Sequence, residues 1–421
     1  MMLHQKIKAG ALQYVLVISI IIGILIFAFI SLIYLQERMT IKHNFTKEAI
    51  SNTQMGFDYF KENEVPYNEK MVLPFIENAL ATTTIEKQHW GLFDLAIVTS
   101  KVKNEFFQKV GLLGTENSKK EALYLKDNNQ SLVLVGETTI IGNVSVPKQG
   151  VKSGTIAGDS YYGNQLIYGS QKRSAPQLPE IKNIAHVKDF YSNYVAVNTE
   201  DFELKEDLKM QQSFKEKTLL YEATNTINLE HVVLSGNILI ISKSAINVAA
   251  SAVLEDVILM APKIRIASNV KGNFQAIATK NIEVGVGCNL SYPTALVLLD
   301  PGNTMPNNKK QKEEPKITIK KNTAIKGMLV FKSNNIGVNY NAQISIQENV
   351  NITGEVYCSK NLELQGSVFG AVYTSNFIVK KSGGIYSNHL YNGAINSKKL
   401  PKQYAGLQIN KASNAVAKWV N

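Results

Sequence analysis

Hydrophobic and polar residues follow three successive patterns along this chain. From Ala11 to Leu35 no charge interrupts an apolar run in which only Gln13, Ser19 and Ser31 are plainly polar. As a helix this run is about 37 Å long at ~1.5 Å per residue, enough to cross a hydrocarbon core of about 30 Å, so the pattern predicts a membrane-spanning helix over 11–35. A secretory signal has a shorter apolar core and a small-x-small cleavage site, whereas this run ends in "LQERM". Beyond it, "NFTKEAISNTQMGFDYF" places Phe45, Ile50, Met55, Phe57 and Phe60 at loose helical spacing, which predicts a stalk continuing through 36–64 and presenting these residues as its apolar face. Pro66 and Pro74 close that helix before Val65.

The second pattern covers 65–130. "TTTIEKQHWGLFDLAIVTSKVKN" and "EALYLKD" are rich in β-branched and aromatic residues separated by turn formers, and predict a small antiparallel sheet with Trp90 and Phe93 in its core. The third pattern, over 131–395, is repetitive. "LIISKSAINV" (239–248), "VILMAPKIRI" (257–266) and "QAIATKNIEV" (275–284) share one template, and later copies begin at Met328, Glu355 and Ala371. Ile246, Ile264 and Ile282 recur every 18 residues, and Ile336 falls 54 residues after Ile282. Two short alternating strands and a polar corner per repeat predict a parallel β-helix in which stacked coils bury one aliphatic column. A β-sandwich is the alternative, but it does not require a fixed 18-residue recurrence.

Within this body, "SLVLVGETTIIGNVSVP" and "GTIAGDSYYGNQLIYG" read as initial coils, and "APQLPEIKN" as a crossing toward a less regular piece around 185–225. "DPGNTMPNNKKQKEEPK" (300–316), with three prolines and seven charges, reads as an exposed loop extruded between coils. "GLQINKASNAVAKWV", within the final 396–421, reads as an amphipathic helix capping the last coil.

The N-terminus "KIKAG|ALQYVLVISIIIG" resembles the signal of type IV pilins and type II secretion pseudopilins. The resemblance covers about the first sixty residues: a basic leader (1–10) with Lys6 and Lys8, Gly10 before the cut, and Ala11 as the first mature residue. It implies removal of the leader on the cytoplasmic face, a pilin-like α/β head on the stalk, and assembly with other pilin-like subunits. Val15 departs from the pattern, because the family's fifth mature residue is usually a glutamate that pairs with a neighbouring subunit's amine. A plain single-pass anchor is the competing reading. Residues 230–395 are similar in repeat style to bactofilins, polymer-forming bacterial scaffold proteins, which implies a scaffold role.

The fold class expected is thus mainly β, with an N-terminal transmembrane and stalk helix, a small head and a parallel β-helix body. Positive charge flanks the helix on both sides, with Lys6 and Lys8 before it and Arg38, Lys42 and Lys47 after it, so length sets the orientation. A ten-residue head stays in the cytoplasm and the long body lies outside, in a bacterial inner membrane. The net charge of +11 arises from 45 basic and 34 acidic residues, yet only Arg38, Arg173 and Arg265 are arginines, a composition that disfavours nucleic acid as a partner.

The chain is read as a non-enzyme with no cofactor and no metal. Its six histidines (His4, His43, His89, His186, His231 and His389) lack ligand spacing, and Cys288 and Cys358 form neither a CxxC pair nor a disulfide. The enzymatic alternative is polysaccharide cleavage by paired carboxylates, for which Glu255, Asp256, Glu283, Glu355 and Glu363 are the candidates. Tyr161, Tyr162 and Tyr168 are candidate surface contacts for a glycan, or else they pack at the start of the β-helix. The partners expected are the lipid bilayer and other pilin-like or envelope proteins.

Overall fold

A computed structural model describes residues 9–74, 80–116, 121–182, 184–187, 199–302, 314–335, 339–409 and 413–420. One helix, Ala9–Glu62, joins the predicted span and stalk without a break. Helix hydroxyls bond back to their own turn, Ser19 to the Leu16 carbonyl and Thr40 to the Gln36 carbonyl at 2.9 Å each. In Ser19 this satisfies the hydroxyl within the apolar run.

The chain forms two compact units. The first comprises Met1–Tyr59, Lys70–Glu86 and Val98–Lys109; the second comprises Phe60–Glu69, Lys87–Ile97 and Val110–Asn421. In the first, the stalk packs on the sheet through Ala49, Asn52, Thr53, Gly56 and Phe57, while Ile50 and Met55, expected on that face, are exposed. The reason is close approach. A Cβ on Gly56 would lie 2.4 Å from Val98 Cγ1 and 3.3 Å from Ile85 Cγ2, so small residues share the contact with Phe57. Phe45 is half-buried, with the Lys103 ammonium 4.8 Å from its ring centroid. Thr83 and Ser100 share a buried hydrogen bond of 2.9 Å across neighbouring strands.

The small sheet runs in the order Met71–Val72, Ala81–Trp90, Phe93–Val102 and Glu105–Glu116. Ala405–Gly406 and Asn414–Val420 both pair antiparallel with Glu105–Glu116. The C-terminal segment expected as a capping helix is therefore a strand: its "NAVAKWV" alternation satisfies an open sheet edge.

In the second unit a parallel β-helix carries one inward column: Ile227, Ile246, Ile264, Ile282, Ile317, Ile344, Leu362 and Phe377 are successive partners in register. Parallel ladders exclude the sandwich. The 18-residue step holds from Ile246 to Ile282 and again from Ile344 to Leu362, but Ile282 pairs next with Ile317, so the step is not constant. Ile336 lies outside the described residues, as does 303–313, most of the predicted loop. Where the coils bend, Gly327, Gly354 and Gly370 stack with φ near +150°, and a Cβ on Gly354 would meet the Gly327 carbonyl oxygen at 1.8 Å.

Coil order differs from chain order. Leu123–Leu125, expected on the small sheet, pairs with Val372–Thr374, and Thr139–Ile141 pairs with Ala394–Asn396. The segments read as initial coils thus stack on the last coil, with Gln171–Arg173 outermost through its pairing with Val144–Val146. The chain then re-enters at the other end, where Thr199–Asp201 pairs with Thr218–Leu220.

One outer face of the coils is also buried, under Trp90, Leu92, Phe93, Val110, Leu112, Leu407 and Ile409. Trp90 and Phe93 are core, as expected. The polar residues on this face are satisfied by backbone: Gln275 donates to the Trp90 carbonyl (2.9 Å) and accepts from Leu92 N–H (2.8 Å), and Glu355 accepts from Leu407 N–H (2.5 Å).

Candidate functional site

The apolar start of the helix is bare. Every large apolar residue from Leu12 to Leu35 is exposed, Val15 to 65%, and among the described residues Ala9–Glu62 contains the one helix long and apolar enough to cross a bilayer. Gly10 and Ala11 lie in its first turn with open surroundings at Gly10. The leader ahead of Ala9 lies outside the described residues.

The three tyrosines sit on the outermost coil. Tyr161 is half-buried, packed against the end of the core, and donates to the Gln165 carbonyl at 2.5 Å; Tyr162 and Tyr168 are exposed.

The candidate carboxylates are dispersed. Glu255 and Asp256 share Lys418 at 2.9 and 2.7 Å. Glu283 meets Lys320 (2.5 Å) and Arg265 (3.4 Å), and the Lys320 hydrogen bond holds its carboxyl below the usual range. Glu363 accepts from Ser345 at 2.8 Å, and Glu355 is sealed under Leu407. Cys288 and Cys358 are separate, buried free thiols.

A constellation that sequence spacing did not reveal lies beside the end of the stalk, within the second unit. Tyr67 is held next to Lys87 by a bridge to the strand Ala81–Trp90 and by the Asn68 N–H bond to the Lys87 carbonyl (2.8 Å). Ile181 pairs with Ile409, and Lys182 N–H donates to the Gln408 carbonyl (3.0 Å), which brings the following helical turn and His186 into place. The rings of Tyr67 and His89 stack at 3.7 Å, and those of His89 and His186 at 3.9 Å.

Asp94, 1% exposed, is the hub behind these rings. It accepts from the Tyr67 hydroxyl (3.0 Å) and Gln408 Nε2 (2.9 Å), with His89 Nδ1 at 3.5 Å and Lys87 Nζ at 4.0 Å. Burial, reinforced by the Asp94 charge, raises the Tyr67 pKa, so the phenol stays protonated and donates. Burial also lowers the pKa of Lys87, against the opposing pull of Asp94. In front of the cluster lies an open cleft of 1090 Å³, lined by Lys61, Glu64, Lys87, Lys182, His186 and Asn414 among others. Although two histidines meet here, no group of three His, Cys, Asp or Glu among the described residues is arranged to hold a metal ion.

No protein-family model matches the chain, and no curated protein matches it. Among solved structures it is similar to "Crystal structure of competence-associated pilin ComZ from Thermus thermophilus", with 8% identity over 86% of this chain and 89% of that one and a TM-score of 0.24.

Proposed function

We propose that the chain is a membrane-anchored subunit of a bacterial envelope assembly, a minor pilin- or pseudopilin-like component that acts by packing with other subunits and not by catalysis. The observation that carries this reading is the single helix Ala9–Glu62, bare and apolar at its start and packed on an antiparallel sheet at its end. A bare apolar helix needs lipid or other apolar helices around it, and its continuation into the folded region couples that environment to the body. In this reading the first ten residues face the cytoplasm, the body lies outside the inner membrane, and a prepilin-type peptidase cuts between Gly10 and Ala11. The candidate carboxylates are dispersed, three of them paired with cations and the other two bonded to Ser345 and to the Leu407 N–H, which supports a non-enzymatic role.

The test is mass spectrometry of the N-terminal peptide from membrane-purified protein. A terminus at Ala11, with or without N-methylation, is the expected result. A terminus at Met1 or Met2 removes the pilin-like route and leaves an anchored β-helical scaffold or glycan-binding protein, the second reading, which the exposed Tyr162 and Tyr168 favour.

A further inference from the structure

Among the described residues, the cleft beside Tyr67 holds a cation, Lys87, with an ion pair but no directed hydrogen bond. The Lys87 side chain is only 10% exposed, yet its nearest carboxylate, Asp94, is 4.0 Å away, beyond hydrogen-bond range. Its other close partner is the face of the Tyr67 ring, 3.9 Å to the centroid, which attracts the charge but accepts no directed N–H bond of ordinary strength. No hydrogen bond from Lys87 Nζ to another described residue accompanies these contacts, and a buried ammonium is costly without acceptors. Asp94 meanwhile accepts hydrogen bonds from Tyr67 and Gln408.

The rest of the lining is rich in donors. Lys61 and Lys182 supply further ammonium groups, while the amides of Gln408 and Asn414 line the cleft but already donate to Asp94 and to the Phe60 carbonyl. The opposing charges are Glu62 and Glu64; the Glu64 side chain is 89% exposed and turned to Lys182 at 3.3 Å. His186 is exposed, with one ring face on His89. At 1090 Å³ the open cleft is slightly larger than the ~300–1,000 Å³ common for small-ligand pockets and has room for a small organic ligand.

We propose that this cleft binds the oxyanion group, carboxylate or phosphate, of a small ligand, with Lys87 as the inner donor, Lys182 at the rim and the imidazole of His186 against the body of the ligand. A charge-assisted bond to an oxyanion completes the hydrogen bonding of Lys87, and the buried setting strengthens it. The site is independent of leader cleavage and of assembly.

Isothermal titration of the full-length protein in detergent with inorganic phosphate, glucuronate and glucose tests the proposal. At least one of the two anions saturates and glucose does not; whichever anion binds tighter identifies the source of the oxyanion. Lys87→Met weakens that binding by about tenfold or more, the worth of a hydrogen bond to a charged group. Should Lys87→Met fail to fold, the exposed Lys182→Gln decides, with an expected loss of about two- to fivefold. The proposal is overturned if neither anion saturates, if glucose binds as well as the anions, or if binding is unchanged in every variant that folds.

Discussion

The side-chain amide of Asn388 donates to Asn128 Oδ1 at 3.0 Å, joining residues 260 positions apart at the seam where the first coil of the β-helix stacks on the last. The bond ends a ladder: Asn361 donates to Asn339, Asn376 to Asn361, and Asn376 Oδ1 accepts from Asn388 N–H, each at 2.9 Å. Asparagine suits these corners because its amide both donates and accepts, and because it tolerates the positive φ of +55° found at Asn388. Asn388→Ala removes the seam bonds and strains the backbone, and is expected to cost about 2–3 kcal/mol, read as a lower midpoint in thermal circular dichroism. Asn388→Gly relaxes φ but not the lost bonds, so the difference between the two variants separates the effects. Unchanged midpoints in both would remove the ladder from the account of stability.

The aliphatic column was legible because every inward position must be apolar, which leaves Ile246, Ile264 and Ile282 at a constant step. Coil order was not legible. Parallel ladders specify inward and outward faces but not which coil lies above, so Leu123 opposite Val372 looks no different from any other aliphatic pair. The stalk's packed face was legible only in part: Phe57 and Phe60 are buried as expected, but close approach also selected Ala49 and Gly56, which carry little hydrophobic signal, and left Ile50 and Met55 exposed. In the cleft, Tyr67, His89 and His186 come from three distant segments joined by β-bridges, and no spacing rule connects them. The long apolar helix, by contrast, is a property of one uninterrupted window and was visible in the sequence.

Ile282 is fully buried in the column between Ile264 and Ile317. Ile282→Lys places an ammonium where no acceptor faces it, a cost of several kcal/mol, and the body is expected to be insoluble or to lose its cooperative thermal transition. Retention of the wild-type β-rich circular dichroism spectrum and midpoint would refute the inward assignment.

Both thiols are shielded. Burial raises the pKa of Cys288, whose Sγ lies 3.0 Å from the Ala267 carbonyl oxygen, and pushes that of Cys358 up to about 12. The thiolate is the reactive form, so neither cysteine is expected to label with iodoacetamide at pH 8 in native protein, while both label in unreduced denaturant. Mass spectrometry counts the adducts. Fewer than two in denaturant would indicate a disulfide, and rapid native labelling would contradict the burial.

Lys418 on the C-terminal strand ties that strand to the coil at Glu255 and Asp256. Burial works against the lysine's charge, but the hydrogen bonds it donates to Asp256 and Glu255 prevail and hold its pKa above the ordinary value. Its contribution is therefore complete below the unfolded lysine pKa of about 10.4 and is lost as pH rises through the higher folded value. Asp256 is the reverse case. Burial raises its pKa despite Lys418 and the amide of Asn273, so its carboxylate opposes folding above the folded pKa and ceases to do so as pH falls through it. Lys418→Met keeps the apolar stem but strands the Asp256 carboxylate, and is expected to cost about 2 kcal/mol near pH 7.5. Urea denaturation at pH 7.5 and pH 4 checks this: the loss should shrink at the lower pH, where Asp256 takes up a proton and needs no cation. A penalty that stays the same at both pH values would assign the effect of Lys418 to packing alone.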